Sequence, residues 1–179
     1  FDHFTNNINT NNNNNNTNNT NNLKHCLFEY LYFMRPETTA NNINVKQFRE
    51  ELGRLLIKEM KEYHPELYRY FMNIINNETI QTIQNNNTIT YNGKKNDQII
   101  VCGIPKSGII QAESCAKHFN VSYLQFIKHK KEYPFRTFIL ENNQKRNEAC
   151  HKKYFIEKKD KNIIKNKILI LIDDSIVRG

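Results

Sequence analysis

The sequence lacks any apolar run of 18 or more residues, and no charged start followed by an apolar centre marks a signal peptide. A membrane span is therefore not predicted, and a soluble, cytoplasmic chain with no membrane partner is expected. Four cysteines occur, at 26, 102, 115 and 150, with no CxxC pair and no Cys/His spacing of a zinc site. That argues against a metal–thiolate cluster built within this chain and against a secreted disulfide framework, and points to a reducing compartment. An initiator Met is missing too: the chain opens on Phe1, so a fragment of a longer protein is expected.

What is present is uneven. The 179 residues suffice for one domain with a core, yet only 38% are hydrophobic. Residues 5 to 22 are almost all Asn and Thr, which cannot offset chain entropy by burial, so a disordered tract is predicted over 1–22. The net charge of +8 is concentrated between 145 and 167, where Lys145, Arg146, Lys152, Lys153, Lys158 and Lys159 are among the cations. A solvated basic face is the ordinary reading. No aromatic interleaving accompanies it, so no nucleic-acid partner is expected; attraction of a polyanionic small substrate is the other reading.

Three apolar stretches read as strands. The run Ile168–Ile172 is unbroken and predicts a strand buried on both faces, as in a parallel sheet. Gln98 to Gly103 predicts a second, and Val121 to Ile127 a third. The aromatic stretch CLFEYLYF, from Cys26, alternates in a period of two and also predicts a core strand. Between them, Asn44 and Gln47 suit a helix start, and Phe48, Leu52, Leu55, Leu56 and Met60 recur at helical spacing, predicting a helix from Val45 to Tyr63. His64-Pro65 should break it; an apolar stretch follows, and Asn85 to Asn96 reads as a polar loop. Ile109, Ala112, Ala116 and Phe119 give the apolar face of another helix.

The strands end in chemistry-bearing residues. Asp173 and Asp174 follow Ile172, and the loop Ser175 to Gly179 follows them; Pro105 to Gly108 turn from the second strand into its helix. Ligands of open α/β sheets bind outside the carboxyl ends of the strands, and a helix N-terminus or a glycine-containing loop presents N–H groups to a phosphate. Two acids for ribose hydroxyls beside two phosphate-type loops suggest a sugar-phosphate site.

The wording of these segments is specific. DDSIVRG closely resembles the PRPP-binding motif of type I phosphoribosyltransferases, and SIVRG the form found in glutamine phosphoribosylpyrophosphate amidotransferases, where two Thr usually follow. CLFEYLYFMRPET is similar to that family's C-x-FEYVYFARPDS, with Glu37-Thr38 replacing Asp-Ser. IPKSG resembles its VPDSG pyrophosphate loop, with Lys106 in place of an acid. Lys128 to Ile139 resemble its mobile loop IKNRYVGRTFI: Lys128, Tyr133 and Arg136-Thr137-Phe138-Ile139 match, two residues are inserted, and Phe135 replaces Gly. Gln144 and Arg146 fall on its Q-x-R positions, and Arg49 and Gly53 on VYSARxxMG. For Arg49 and Gly53, a surface Arg with a helix-packing Gly and a direct catalytic part are both open.

The resemblance covers about 26–57 and 98–179. It implies an α/β fold, a type I phosphoribosyltransferase-like parallel sheet flanked by helices and incomplete at the C-terminus. The division it implies is a junction strand and first helix over 23–57, an inserted polar excursion over 58–97, and a PRPP-binding core over 98–179. It implies catalytic roles for Lys128, Arg136 and Tyr133. It implies PRPP binding by Asp173, Asp174, Ser175, Ile176, Val177, Arg178 and Gly179, together with Pro105, Lys106, Ser107 and Gly108. Ser107, Asp173 and Asp174 would hold Mg2+, and Cys26 stands where some members have one ligand of an iron–sulfur cluster. The activity implied is amidophosphoribosyl transfer in the first step of de novo purine biosynthesis, with glutamine-derived ammonia from a glutaminase domain this segment lacks, in a homo-oligomer. The segment alone is expected to be inactive. A salvage phosphoribosyltransferase and a non-catalytic PRPP-binding relative are the alternatives; Lys106, Phe135 and the insertions speak for the second.

Overall fold

The computed structural model describes residues 26–85, 96–133 and 139–175. The Asn-rich tract, most of the Asn85–Asn96 loop, Phe135 to Phe138 of the expected mobile loop and Ile176 to Gly179 lie outside the described residues.

Four consecutive apolar residues organise the molecule. Ile99, Ile100, Val101 and Cys102 are all buried, on strand β3 (Asn96–Gly103). Side chains alternate across a strand, so Ile99 and Val101 enter one core cluster and Ile100 and Cys102 another. Strand β4 (Val121–Tyr123) pairs parallel on one side of β3, and β7 (Ile168–Ile172) parallel on the other, with Val101 opposite Ile170 and Gly103 opposite Ile172. The expected parallel sheet with flanking helices is therefore present, in the order β4-β3-β7.

Helix α1 (Val45–Tyr63) starts as the sequence predicts: the Asn44 side chain accepts from Gln47 N at 3.0 Å, satisfying one free donor of the first turn. His64 ends it, and Pro65 opens α2 (Pro65–Asn85), where a missing N–H costs nothing. Phe71 and Ile75 are buried in the same cluster as Ile99 and Val101, and Tyr68 stacks on Phe119 with centroids 6.2 Å apart. Helix α3 (Ile109–Phe119) covers the same sheet face with Ala112, Cys115, Ala116 and Phe119, and ends in a left-handed Asn120. It crosses α1 so closely that a Cβ on Gly53 would overlap the Gln111 carbonyl oxygen. Gly53 is thus a packing glycine.

Three expected strands differ in the structure. CLFEYLYF is not a strand: Glu29–Phe33 form a π-helical turn, followed by the short antiparallel pair β1 (Thr39–Ala40) and β2 (Ile43–Asn44). Only Tyr30 of that turn is buried, against Phe48, Ile43 and Val45, while Phe28 and Phe33 are exposed. The alternation of aromatic residues mimicked a strand, but a turn needs a single anchor. Val121 to Ile127 also divides. After Tyr123, the Gln125 amide donates to the carbonyls of Gly103 and Ile127, at 2.8 and 2.9 Å, and diverts the chain. Strand β5 (Ile127–His129) then pairs antiparallel with β6 (Tyr154–Ile156) in a separate sheet. Finally, among the described residues β7 is covered on one face only: Ile172 is buried and Ile168 and Ile170 partly so, while Leu169 and Leu171 are 39% and 54% exposed.

Two further helices, α4 (Asn143–Lys153) and α5 (Lys158–Ile164), precede β6 and β7, and Asn142 caps the first through Lys145 N at 2.8 Å. Among the described residues no helix is long and apolar enough to cross a membrane.

Candidate functional site

The carboxyl ends of β3 and β7 are clasped together. Ile104 N donates to Ile172 O at 2.8 Å, and Gly108 lies so close to that strand end that an added Cβ would overlap Ile172 O. The close approach brings the two loops the sequence singled out into direct contact. Ser107 Oγ donates to Asp173 Oδ1 at 2.5 Å, across 66 residues of sequence. Asp174 N donates to the same oxygen at 2.9 Å.

The two acids sit differently. Asp173 is exposed. Asp174 is half-buried: Ser175 Oγ donates to its Oδ1 at 2.9 Å, and its Oδ2 is buried with no partner among the described residues. Burial pushes the Asp174 carboxyl above its ordinary value; the Ser175 hydrogen bond opposes this, Asp173 adds to it, and Arg49 opposes it. Such a carboxylate has an unused acceptor beside an exposed twin.

Around the turn, Pro105 is buried and Lys106 exposed, with φ 74°, a left-handed conformation uncommon outside glycine. The turn is completed by Ser107 N and Gly108 N donating to Ile104 O at 3.2 and 2.9 Å. The structure thus brings Lys106, Ser107 and Gly108 together with Asp173, Asp174 and Ser175.

Other expected site residues stand apart or out of view. Lys128 lies on β5 opposite Phe155, and its charge is felt at Cys102 and Glu157. Tyr133 closes a turn through its N–H to Lys130 O at 3.2 Å. No hydrogen bond or ion pair among the described residues joins either to Asp173 or Asp174. Arg136, Ile176, Val177, Arg178 and Gly179 lie outside the described residues. Cys26 and Cys150 are exposed, and Cys102 and Cys115 are buried; burial pushes the Cys115 thiol up to about 11. Among the described residues no three metal-ligating side chains group together.

Further side chains lie near the site, and the sequence suggests a catalytic part only for Arg49 among them. Arg49, expected as a surface residue or a direct catalytic part, is 6% exposed and holds the carbonyls of Tyr30 and Met34. His129 and Lys153 flank the ring of Tyr154. Lys153 was visible only as one of many lysines in a basic stretch, and no local pattern marked Tyr154.

No protein-family model matches the chain. Its sequence is similar to curated amidophosphoribosyltransferases. That of Methanocaldococcus jannaschii is 30% identical over 154 residues, that of Lachancea kluyveri 28% over 157, and that of Bacillus subtilis 26% over 155. Each alignment covers 86% of this chain, which spans about a quarter of those relatives' length. Among solved structures, the B. subtilis glutamine phosphoribosylpyrophosphate amidotransferase complexed with ADP and GMP resembles it with a TM-score of 0.51 at 25% identity. That match covers 86% of this chain and 26% of the solved one. An allosteric regulatory enzyme of purine biosynthesis resembles it with a TM-score of 0.50 at the same identity, over 25% of the solved chain.

Proposed function

We propose, from the premise that this chain belongs with the amidophosphoribosyltransferases in sequence and fold, that its site binds PRPP and serves phosphoribosyl transfer to ammonia. The observation that carries this reading is the Ser107–Asp173 hydrogen bond, which joins a phosphate-type turn to an acid pair at the ends of two parallel strands.

In the proposed reaction the bond from ribose C1 to the pyrophosphate oxygen breaks, and the electron pair leaves with pyrophosphate. Ammonia forms the new C1–N bond and loses a proton, giving 5-phosphoribosylamine. Positive charge grows on the ribose as negative charge grows on the leaving group. Asp173 and Asp174 would accept from the ribose hydroxyls; the Asp174 Oδ2, without a partner among the described residues, supports this. Their charge also opposes the developing cation. Lys106 and the N–H groups of the 105–108 turn would hold pyrophosphate, and Ser175 to Gly179 the 5′-phosphate. Lys128, Tyr133 and Arg136 would act from a closing loop that excludes water.

Mg2+ fits this donor set. It takes oxygen ligands, commonly one or two carboxylates plus substrate phosphates with waters completing the shell, so no all-protein cage is needed. Asp173, Asp174 and Ser107 would hold it, and when bound it neutralises phosphate charge. For an iron–sulfur cluster, Cys26 is the one candidate ligand, with no partner cysteine grouped beside it among the described residues. The ammonia would come from glutamine through a glutaminase domain of the native protein, acting in the cytoplasm within a homo-oligomer.

The test is turnover. The native protein, given PRPP, Mg2+ and ammonium, should release pyrophosphate and form phosphoribosylamine, and Asp173→Asn should abolish both. PRPP binding without turnover, even in excess ammonium, would favour the non-catalytic relative.

A further inference from the structure

Strand β6 begins at Tyr154, directly after the last residue of α4, Lys153. The Lys153 Nζ stands 5.1 Å from the Tyr154 ring centroid, within cation–π range. On β5, His129 is the register partner of Tyr154, and its ring meets the same ring edge-on, 5.9 Å between centroids at 78°. Lys130 N donates to Lys153 O at 2.9 Å and fixes the end of α4 against β5. One aromatic side chain therefore positions two nitrogen bases from two different elements.

The Gln125 amide, donating to Gly103 O at the end of β3 and to Ile127 O at the start of β5, brings the β5–β6 sheet to the turn, and both bases share an electrostatic neighbourhood with it. Burial first, and then the Lys106 and Lys153 charges, hold the His129 imidazole below its ordinary value. Burial likewise holds the Lys153 ammonium down; Lys106 contributes in the same direction, while Cys150 and Asp173 oppose it. Asp173 also acts on the Tyr154 phenol, after burial and Cys150. Asp173 in turn receives the Ser107 hydroxyl, next to Lys106. Lys106 and Lys153 thus repel one another beside the acid pair, their charges also disfavour the His129 imidazolium, and no ion pair among the described residues engages any of the three. Such an arrangement gains most from a ligand carrying several negative charges.

We propose that Lys153 and His129, braced by Tyr154, join Lys106 in holding the pyrophosphate group of the phosphoribosyl donor. This rests on the reading of the site as a PRPP site and adds residues from the β5–β6 sheet to its leaving-group end. Lys153 supplies a fixed cation. His129, whose imidazolium is disfavoured by burial and by the Lys106 and Lys153 charges, takes up a proton more readily when the polyanion arrives. The charged and titratable groups that act on it are Lys106 from the turn and Lys153 and Tyr154 from the neighbouring segment; on its own segment, the Lys130 backbone opposes the lowering.

Titration calorimetry on the native protein, with Mg2+ and inorganic pyrophosphate or ribose 5-phosphate as separate probes, tests this. Lys153→Met should weaken pyrophosphate binding roughly tenfold, as expected for loss of one charge-assisted contact, and should flatten its salt dependence. Ribose 5-phosphate affinity should stay unchanged. Tyr154→Phe should behave as the parent and Tyr154→Leu as Lys153→Met. In His129→Gln the proton uptake on binding, read from buffers of different ionisation enthalpy, should fall. Unchanged pyrophosphate affinity in a folded Lys153→Met, or equal weakening of both probes, would overturn the proposal. Asp173→Asn separates it from the parent reading. If that variant weakens PRPP binding while Lys153→Met leaves pyrophosphate untouched, only the present inference fails; if it leaves PRPP binding intact, the site reading fails.

Discussion

The buried Arg49 guanidinium donates from Nε to Tyr30 O at 2.9 Å and from Nη2 to Met34 O at 2.8 Å. It thereby satisfies carbonyls at both ends of the π-helical turn, 15 and 19 residues away in sequence. Burial holds its pKa below the ordinary value, and the nearby Asp174 charge partly offsets this. Removing it would take a charged donor from each of the two carbonyls, so Arg49→Met should lower stability by about 3 kcal/mol in denaturant unfolding. Arg49→Lys, with a single ammonium, should recover only part of that. His129 gives a pH signature. Its folded pKa lies below the unfolded 6.5, so the unfolded chain binds more protons. Stability should therefore fall as pH drops from about 6.5 through the folded value, and His129→Gln should make the melting temperature less pH-dependent in that window. Neither role was legible from the sequence, because both depend on partners brought close only by folding.

At the scale of elements, local chemistry reads well where a residue acts on its immediate neighbours. Asn44 caps α1, Pro65 opens α2, and the apolar run of β3 forms the central strand. Reading fails where one distant side chain redirects the backbone. Gln125, whose amide donates to Gly103 O, cuts the expected strand at Tyr123, and Arg49 supports a turn where aromatic alternation predicts a strand. Gly53 and Gly108 are two of the glycines that set close approaches between elements. At Gly53 an alanine would press into the Gln111 backbone and separate α1 from α3. Gly53→Ala should cost about 1–3 kcal/mol in thermal or denaturant unfolding without touching the acid pair. Gly108→Ala should instead push the 105–108 turn away from Ile172, and it should weaken PRPP binding by more than its stability loss explains.

For the whole molecule, the candidate site was legible as two motifs and is joined by one sheet. The order β4-β3-β7 places Ile104 to Gly108 and Asp173 to Ser175 at adjacent strand ends, so residues 66 positions apart share a hydrogen bond. The exposed Leu169 and Leu171 show where the reading of β7 as fully buried was too simple. A continuous apolar run marks a strand, but neighbouring elements decide how many of its faces are covered. The β5–β6 sheet was the least legible part. Its contribution to the site rests on Tyr154, whose two neighbours come from different elements.

The most direct test of the central claim is calorimetric titration of PRPP with Mg2+ into the native protein and into its Asp173→Asn variant. The parent should bind PRPP saturably and the variant at least roughly tenfold more weakly, from loss of charged hydrogen bonds to the ribose. Absence of PRPP binding to the parent, or equal affinity in the folded variant, would contradict it.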